Sequence, residues 1–152
     1  MRTMHKAAVG FAALILAGSG LTPAASAAPS STSVSLSTVR ATILQQTNAQ
    51  RTAAGLRPLV SVKPINTTAQ ICSERQAAAR KMFHCAAPAD FGRAWAENVA
   101  SGQRYDQVVA AWMASPGHRA NILNPRYTHL GIGYMFDSAG RTYFTQNFQL
   151  PR

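Results

Sequence analysis

The chain has 152 residues, with fifteen Lys and Arg against five Asp and Glu, for a formal charge of +10 at pH 7. That length suits one domain rather than several, and the basic balance favours anionic partners such as lipid, wall polymer or nucleic acid. The arginines are scattered rather than blocked, and no aromatic and basic RNA-binding signature is present, so a specific nucleic-acid module is excluded.

The N-terminus reads as a signal peptide over residues 1–27. Arg2 and Lys6 are its positive start, Val9 to Leu16 its apolar run, and Ala25-Ser26-Ala27 a small-residue cleavage site. The apolar run falls short of the roughly 20 residues a spanning helix needs. Cleavage leaves 125 residues from Ala28 with a charge of +8, enough chain for a real core. Residues 28–37 are rich in Ser and Thr and read as a flexible leader, so the domain proper is expected over 38–152.

A first helix is expected from Val39, capped by Ser37 or Thr38, with Val39, Ile43 and Leu44 on one face and Gly55 as its stop. Leu56 to Pro64 is too marked by proline for a central strand and reads as an irregular connection with Leu59 turned inward. A second helix follows from about Ile65 to Met82, with Ile65, Ala69, Cys72, Gln76 and Ala79 along one side. Cys72 and Cys85 are the only cysteines. In an exported chain they most simply form one disulfide, provided that the chain turns back sharply after Met82; two buried free thiols are the alternative. His84 sits beside Cys85.

Arg93 to Ala100 (RAWAENVA) reads as a strand, and Glu97 within it is a carboxylate in an apolar piece. Buried there, it needs a partner: an arginine, a backbone donor or a metal. Tyr105 to Met113 is a third helix, handing over to a short one that opens at Ser115-Pro116 and closes at Asn124-Pro125. His118 lies in its first turn. Two alternating runs, LGIGYMF and RTYFTQNFQL, joined by Asp137 to Gly140, make an antiparallel hairpin. Gly131 and Gly133 leave one of its faces open to a close-packed helix. Helices first and a terminal hairpin last give the class α+β, helices packed on an antiparallel sheet.

The ordered set NAQRTAAGLRPL, AENVA, WMASPGHRANIL, LGIGYMF and YFTQNF resembles the CAP superfamily, the SCP-like secreted domains that include cysteine-rich secretory proteins, antigen 5 and pathogenesis-related protein 1. The resemblance covers about Val39 to Leu150. It implies an α–β–α sandwich, a small antiparallel sheet between helices, with a central cleft lined by two histidines and acidic residues. Matched by motif, these are His84, His118 and Glu97, a set that the family uses to hold a divalent metal, often zinc. Ser115 stands where many members carry a further glutamate, and Cys85 where a serine is usual. His129 is a substitute ligand of lower standing. The resemblance further implies a secreted, monomeric, non-enzymatic binding module for a lipid, sterol-like or anionic cell-envelope ligand. The competing reading is a metal-dependent hydrolase with Glu97 and His118 at the reacting centre.

Overall fold

A computed structural model of the chain describes residues 34–86 and 95–150. The expected signal peptide and most of the expected leader lie outside the described residues. Helix α1 (Leu36–Ala53) begins three residues before Val39, because Ser35 caps it: its Oγ accepts the Thr38 N–H at 3.1 Å. Ser35, Ser37 and Thr38 all have the chemistry of a cap, so composition could not choose among them. Val39, Ile43, Thr47 and Arg51 then fall on the buried side. Gly55, at φ +73°, stops the helix as expected.

The Leu56 to Pro64 connection is not wholly irregular. It carries a two-residue strand, β1 (Val60–Ser61), that lies parallel to β3 (His129–Phe136) at the sheet edge. Both prolines stay outside the ladder, and Leu59 is buried as expected. Helix α2 (Lys63–Ala79) ends before the expected Met82, because Arg80 takes a left-handed conformation at φ 50°. The N–H groups of Arg80 and Lys81 turn back onto the carbonyls of Ala77 and Gln76.

Strand β2 (Trp95–Ser101) precedes two short helices, α3 (Val108–Ala114) and α4 (Pro116–Ile122). Helix α3 starts at Val108 rather than Tyr105, residues 105–107 forming a turn. The β3 strand and β4 (Thr142–Gln149) make the expected hairpin. Strand order is β1-β3-β4-β2, antiparallel except for the β1–β3 pair. The sheet is therefore mixed, not purely antiparallel.

Both faces of the sheet are covered. Leu130, Ile132, Phe144 and Phe148 project into one core with Val39 and Ile43 of α1, Val108 and Trp112 of α3, and Ile122 of α4. On the other face α2 lies almost on the backbone of β3. A methyl group added at Gly133 would stand 2.0 Å from the Ala69 carbonyl oxygen, and one at Gly131 2.2 Å from the Ile65 carbonyl carbon. The result is an α–β–α sandwich. Among the described residues no helix is long and apolar enough to cross a membrane.

Scattered arginines suggest a solvated surface, but Arg51 is fully buried. Its guanidinium donates to four backbone carbonyls: Arg57 at 2.9 Å, Ile122 at 2.7 Å, Asn124 at 2.9 Å and Tyr127 at 3.1 Å. It thereby ties the end of α1 to the end of α4. Arg51→Met should cost about 3–5 kcal/mol, because several buried carbonyls lose their donor together. Gly133→Ala should cost at least about 2 kcal/mol, since backbone atoms rather than a flexible side chain must give way. Urea denaturation of each variant checks both; a loss within experimental error would contradict the packing described.

Candidate functional site

Strand β2 is the last of the sheet, and its residues alternate between the two helical layers. Glu97 shares a register row with Asn147 and Gly131, and so faces the α2 side. Asn98 shares one with Gln146 and Ile132, and so faces α1, α3 and α4. Two of the outward carbonyls of β2 are taken. Asn121 Nδ2 donates to the Glu97 carbonyl at 3.4 Å, and Trp112 Nε1 to that of Val99 at 3.2 Å. Side chains of α3 and α4 thus close the edge that β2 would otherwise present.

The Glu97 side chain is only 3% exposed. Its Oε1 is 2.9 Å from His84 Nδ1 and accepts the Cys85 N–H at 2.9 Å, whereas its buried Oε2 has no hydrogen-bond partner among the described residues. With the carboxylate ionised, Nδ1 carries the imidazole proton and Nε2 is left as the free electron pair. The sequence requirement for a disulfide is met. Arg80 supplies the sharp turn, and Cys72 and Cys85 are bonded with their Cα atoms 5.9 Å apart. A closed loop of this size contributes about 3 kcal/mol at most. The bond also fixes the chain on which His84 stands.

His118 approaches from the opposite layer. Ser115 is the N-cap of α4, as expected, with Pro116 in the first turn; its backbone carbonyl accepts the Arg119 N–H at 2.9 Å, while its hydroxyl makes no cap bond. The helix is held instead by Asn98, whose Nδ2 donates to the His118 carbonyl at 3.2 Å and to Gln146 Oε1 at 3.2 Å. Asn98 Oδ1 accepts from Asn121 at 2.9 Å, and Gln146 passes the chain on to Thr47 of α1 at 2.8 Å. Nothing in residue spacing singles out these amides; ENVA and RANIL each show only an asparagine beside an apolar residue.

A cleft of about 250 Å³ lies beside β2 and α3, with Met82, Val99, Ala111 and Trp112 on its apolar side and Ser115 and His118 at its polar end; His84 and Glu97 do not line it. Burial lowers the His118 pKa below 6.5, and the nearby His84 lowers it further. Burial raises the Glu97 pKa above 4.5, and the bonds from His84 and Cys85 only partly offset this. His84 and Glu97 are thus paired directly. His118 does not join them in a tight set: among the described residues, the three-donor group drawn within 4.8 Å is Cys72, Cys85 and Glu97. His129 begins β3, two strands from β2, and is 2.8 Å from the Thr128 hydroxyl.

A family model described as the CAP, cysteine-rich secretory protein family matches residues 44–148. The chain belongs to the CAP family. The uncharacterized protein YkwD of Bacillus subtilis (strain 168) is 34% identical over 113 residues, covering 66% of this chain but 44% of that protein. The chain therefore spans less than half the length of this relative. Two solved structures share the fold. An outer surface protein from Borrelia burgdorferi gives a TM-score of 0.70 at 16% identity, over 78% of this CAP chain and 97% of its own. An extracellular SCP-domain protein from Bacillus anthracis str. Ames gives 0.60 at 24%, over 80% and 45%.

His118 and Glu97, two of the shifted groups of this CAP domain, have opposite effects on stability. Lowered His118 contributes stability that is present above pH 6.5 and lost as pH falls through its folded value. Raised Glu97 contributes stability that is present below pH 4.5 and lost as pH rises through its folded value. His118→Ala should flatten the fall in Tm on acidification below 6.5, and Glu97→Gln should remove the loss on raising the pH above 4.5. Tm profiles between about pH 4 and pH 8 test both; slopes identical to those of the parent would refute the assignment.

Proposed function

We propose that this CAP domain is exported and acts as a non-enzymatic binding module for a lipid-like or sterol-like cell-envelope ligand held in the cleft beside β2. The observation that carries the reading is the cleft itself. Its apolar wall of Met82, Val99, Ala111 and Trp112 ends at the His118 imidazole, which suits a ligand with an apolar body and a polar head. Export is supported by the charged start, short apolar run and Ala-Ser-Ala site. The charge of +8 that remains after residue 27 supports an anionic headgroup or envelope surface.

A divalent metal, zinc by donor chemistry, fits this end of the cleft in a particular way. His84 offers Nε2 while its Nδ1 is occupied by Glu97, the arrangement in which a carboxylate orients a metal-binding imidazole. Lowered His118 stays neutral and able to ligate at neutral pH. Glu97 then works behind His84 rather than as a member of a closed triad, and the metal would supply a cationic anchor for an anionic head. A hydrolase finds less support, since Ser115 stands in place of a second acid and Glu97 Oε1 is engaged by both His84 and Cys85.

Zinc titration of the disulfide-intact protein tests the metal reading. His84→Ala and His118→Ala should each weaken uptake at least about tenfold. The fold should stay intact, since the His84 side chain is 65% exposed. Unchanged affinity in both variants would remove the pair as ligands. Ala111→Trp should abolish binding of a fluorescent fatty-acid probe and leave zinc uptake as it was. Probe binding that survives a filled cleft would place the lipid elsewhere.

A further inference from the structure

The neighbourhood of the disulfide holds three features that the cleft does not use. The sulfurs of Cys72 and Cys85 and a carboxylate oxygen of Glu97 lie within 4.8 Å of one another. Glu97 Oε2 is buried and accepts no hydrogen bond among the described residues, an acceptor in want of a cation or donor. A cavity of about 180 Å³, walled by Thr68, Ile71, Arg75 and Ala86, reaches both cysteines. While the disulfide is closed, its sulfurs carry no charge and make poor ligands. Reduction changes their chemistry and leaves their supports in place. Helix α2 carries Cys72, and the approach to Cys85 is held by the Arg80 turn and by Gln76 Nε2, which donates to the Phe83 carbonyl. The Cys85 N–H is bonded to Glu97.

We propose that reduction of the Cys72–Cys85 bond by a dithiol opens a second divalent-metal site, made by the two thiolates and the Glu97 carboxylate and separate from the His84 and His118 pair. The step balances. A dithiol of the thioredoxin class gives two electrons and two protons and becomes a disulfide, while the protein S–S bond becomes two thiols. The metal then displaces one proton from each thiol to solvent. Two sulfurs on one zinc sit about 3.8 Å apart at Zn–S distances of about 2.3 Å. Side-chain rotation reaches that separation from Cα atoms 5.9 Å apart. Thiolate donors select zinc-class ions over magnesium and calcium. Two thiolates, a carboxylate and a dication sum to one negative charge, and Arg75 on the cavity wall stands near to offset it.

Cobalt is the probe, because a thiolate bound to Co²⁺ gives a near-ultraviolet charge-transfer band that imidazole and carboxylate do not. The whole folded chain, reduced with a phosphine under argon, should take up about one equivalent of Co²⁺ with that band, and zinc should bleach it. The disulfide-bonded protein should show no band, and Cys72→Ser should lose it. Glu97→Gln should weaken binding at least about tenfold, whereas His118→Ala should leave the band unchanged. Circular dichroism of the reduced chain should match that of the oxidised one. A reduced, folded chain without the band would overturn the proposal, as would loss of the fold on reduction or a band indifferent to Glu97→Gln. A band that vanishes with His118→Ala would overturn it by moving the metal to the cleft. The proposal shares Glu97 with the cleft reading but is tested in the reduced state, so either can fail without the other.

Discussion

The near-contact between the backbones of α2 and β3 sets the geometry of one half of the molecule. It exists because Gly131 and Gly133 present no side chain toward Ile65 and Ala69. With α2 so close to the sheet, Cys72 in its middle comes near Glu97 of β2, while its end reaches the β3–β4 turn, where Arg80 meets Ser138 and its left-handed conformation turns the chain back. Cys85 then meets Cys72, and the carboxylate of Glu97 meets both the Cys85 N–H and the His84 ring. A wider gap between helix and sheet would leave Glu97 without its neighbours. Packing at two glycines thus reaches chemistry on a different strand.

The other half hangs on polar groups that are buried and paired. Among the described residues Arg51 has no carboxylate partner; four carbonyl dipoles replace its water. This arrangement disperses the charge and sews the last turn of α1 to the loop after α4. Asn98 does the corresponding work at the beginning of α4, holding the carbonyl of His118 itself. His118 is therefore fixed at both ends of a helix only seven residues long, one that would not be stable by its own hydrogen bonds.

Much of the fold could be read from the residues. The three-four spacing of Val39 and Ile43, the alternation of Leu130 and Ile132, and the glycines opposite a helix are direct marks of period and packing, and they survive in the structure. Helix ends were less legible, because Ser35, Ser37 and Thr38 compete on equal terms and nothing marks Arg80 as left-handed. Strand β1 is too short to show a period. Arg51 reads as a surface charge, since a buried arginine differs from a solvated one only in what surrounds it. The pairing of His84 with Glu97 came from resemblance alone; thirteen residues of separation say nothing about a 2.9 Å contact.

The stoppered rim of β2 has a wider consequence. An open strand invites a second chain to lie alongside and continue the ladder, which is how folded domains begin to stack. Here Trp112 and Asn121 occupy two of the carbonyls that such an intruder would need, and on the opposite margin β1 covers the start of β3 while Arg40, Asn66 and Gln70 bond the backbone of Ile132 and Tyr134. A sheet edge guarded in this way is a poor template for a further strand. Indole and amide then serve as sentries as much as structural members.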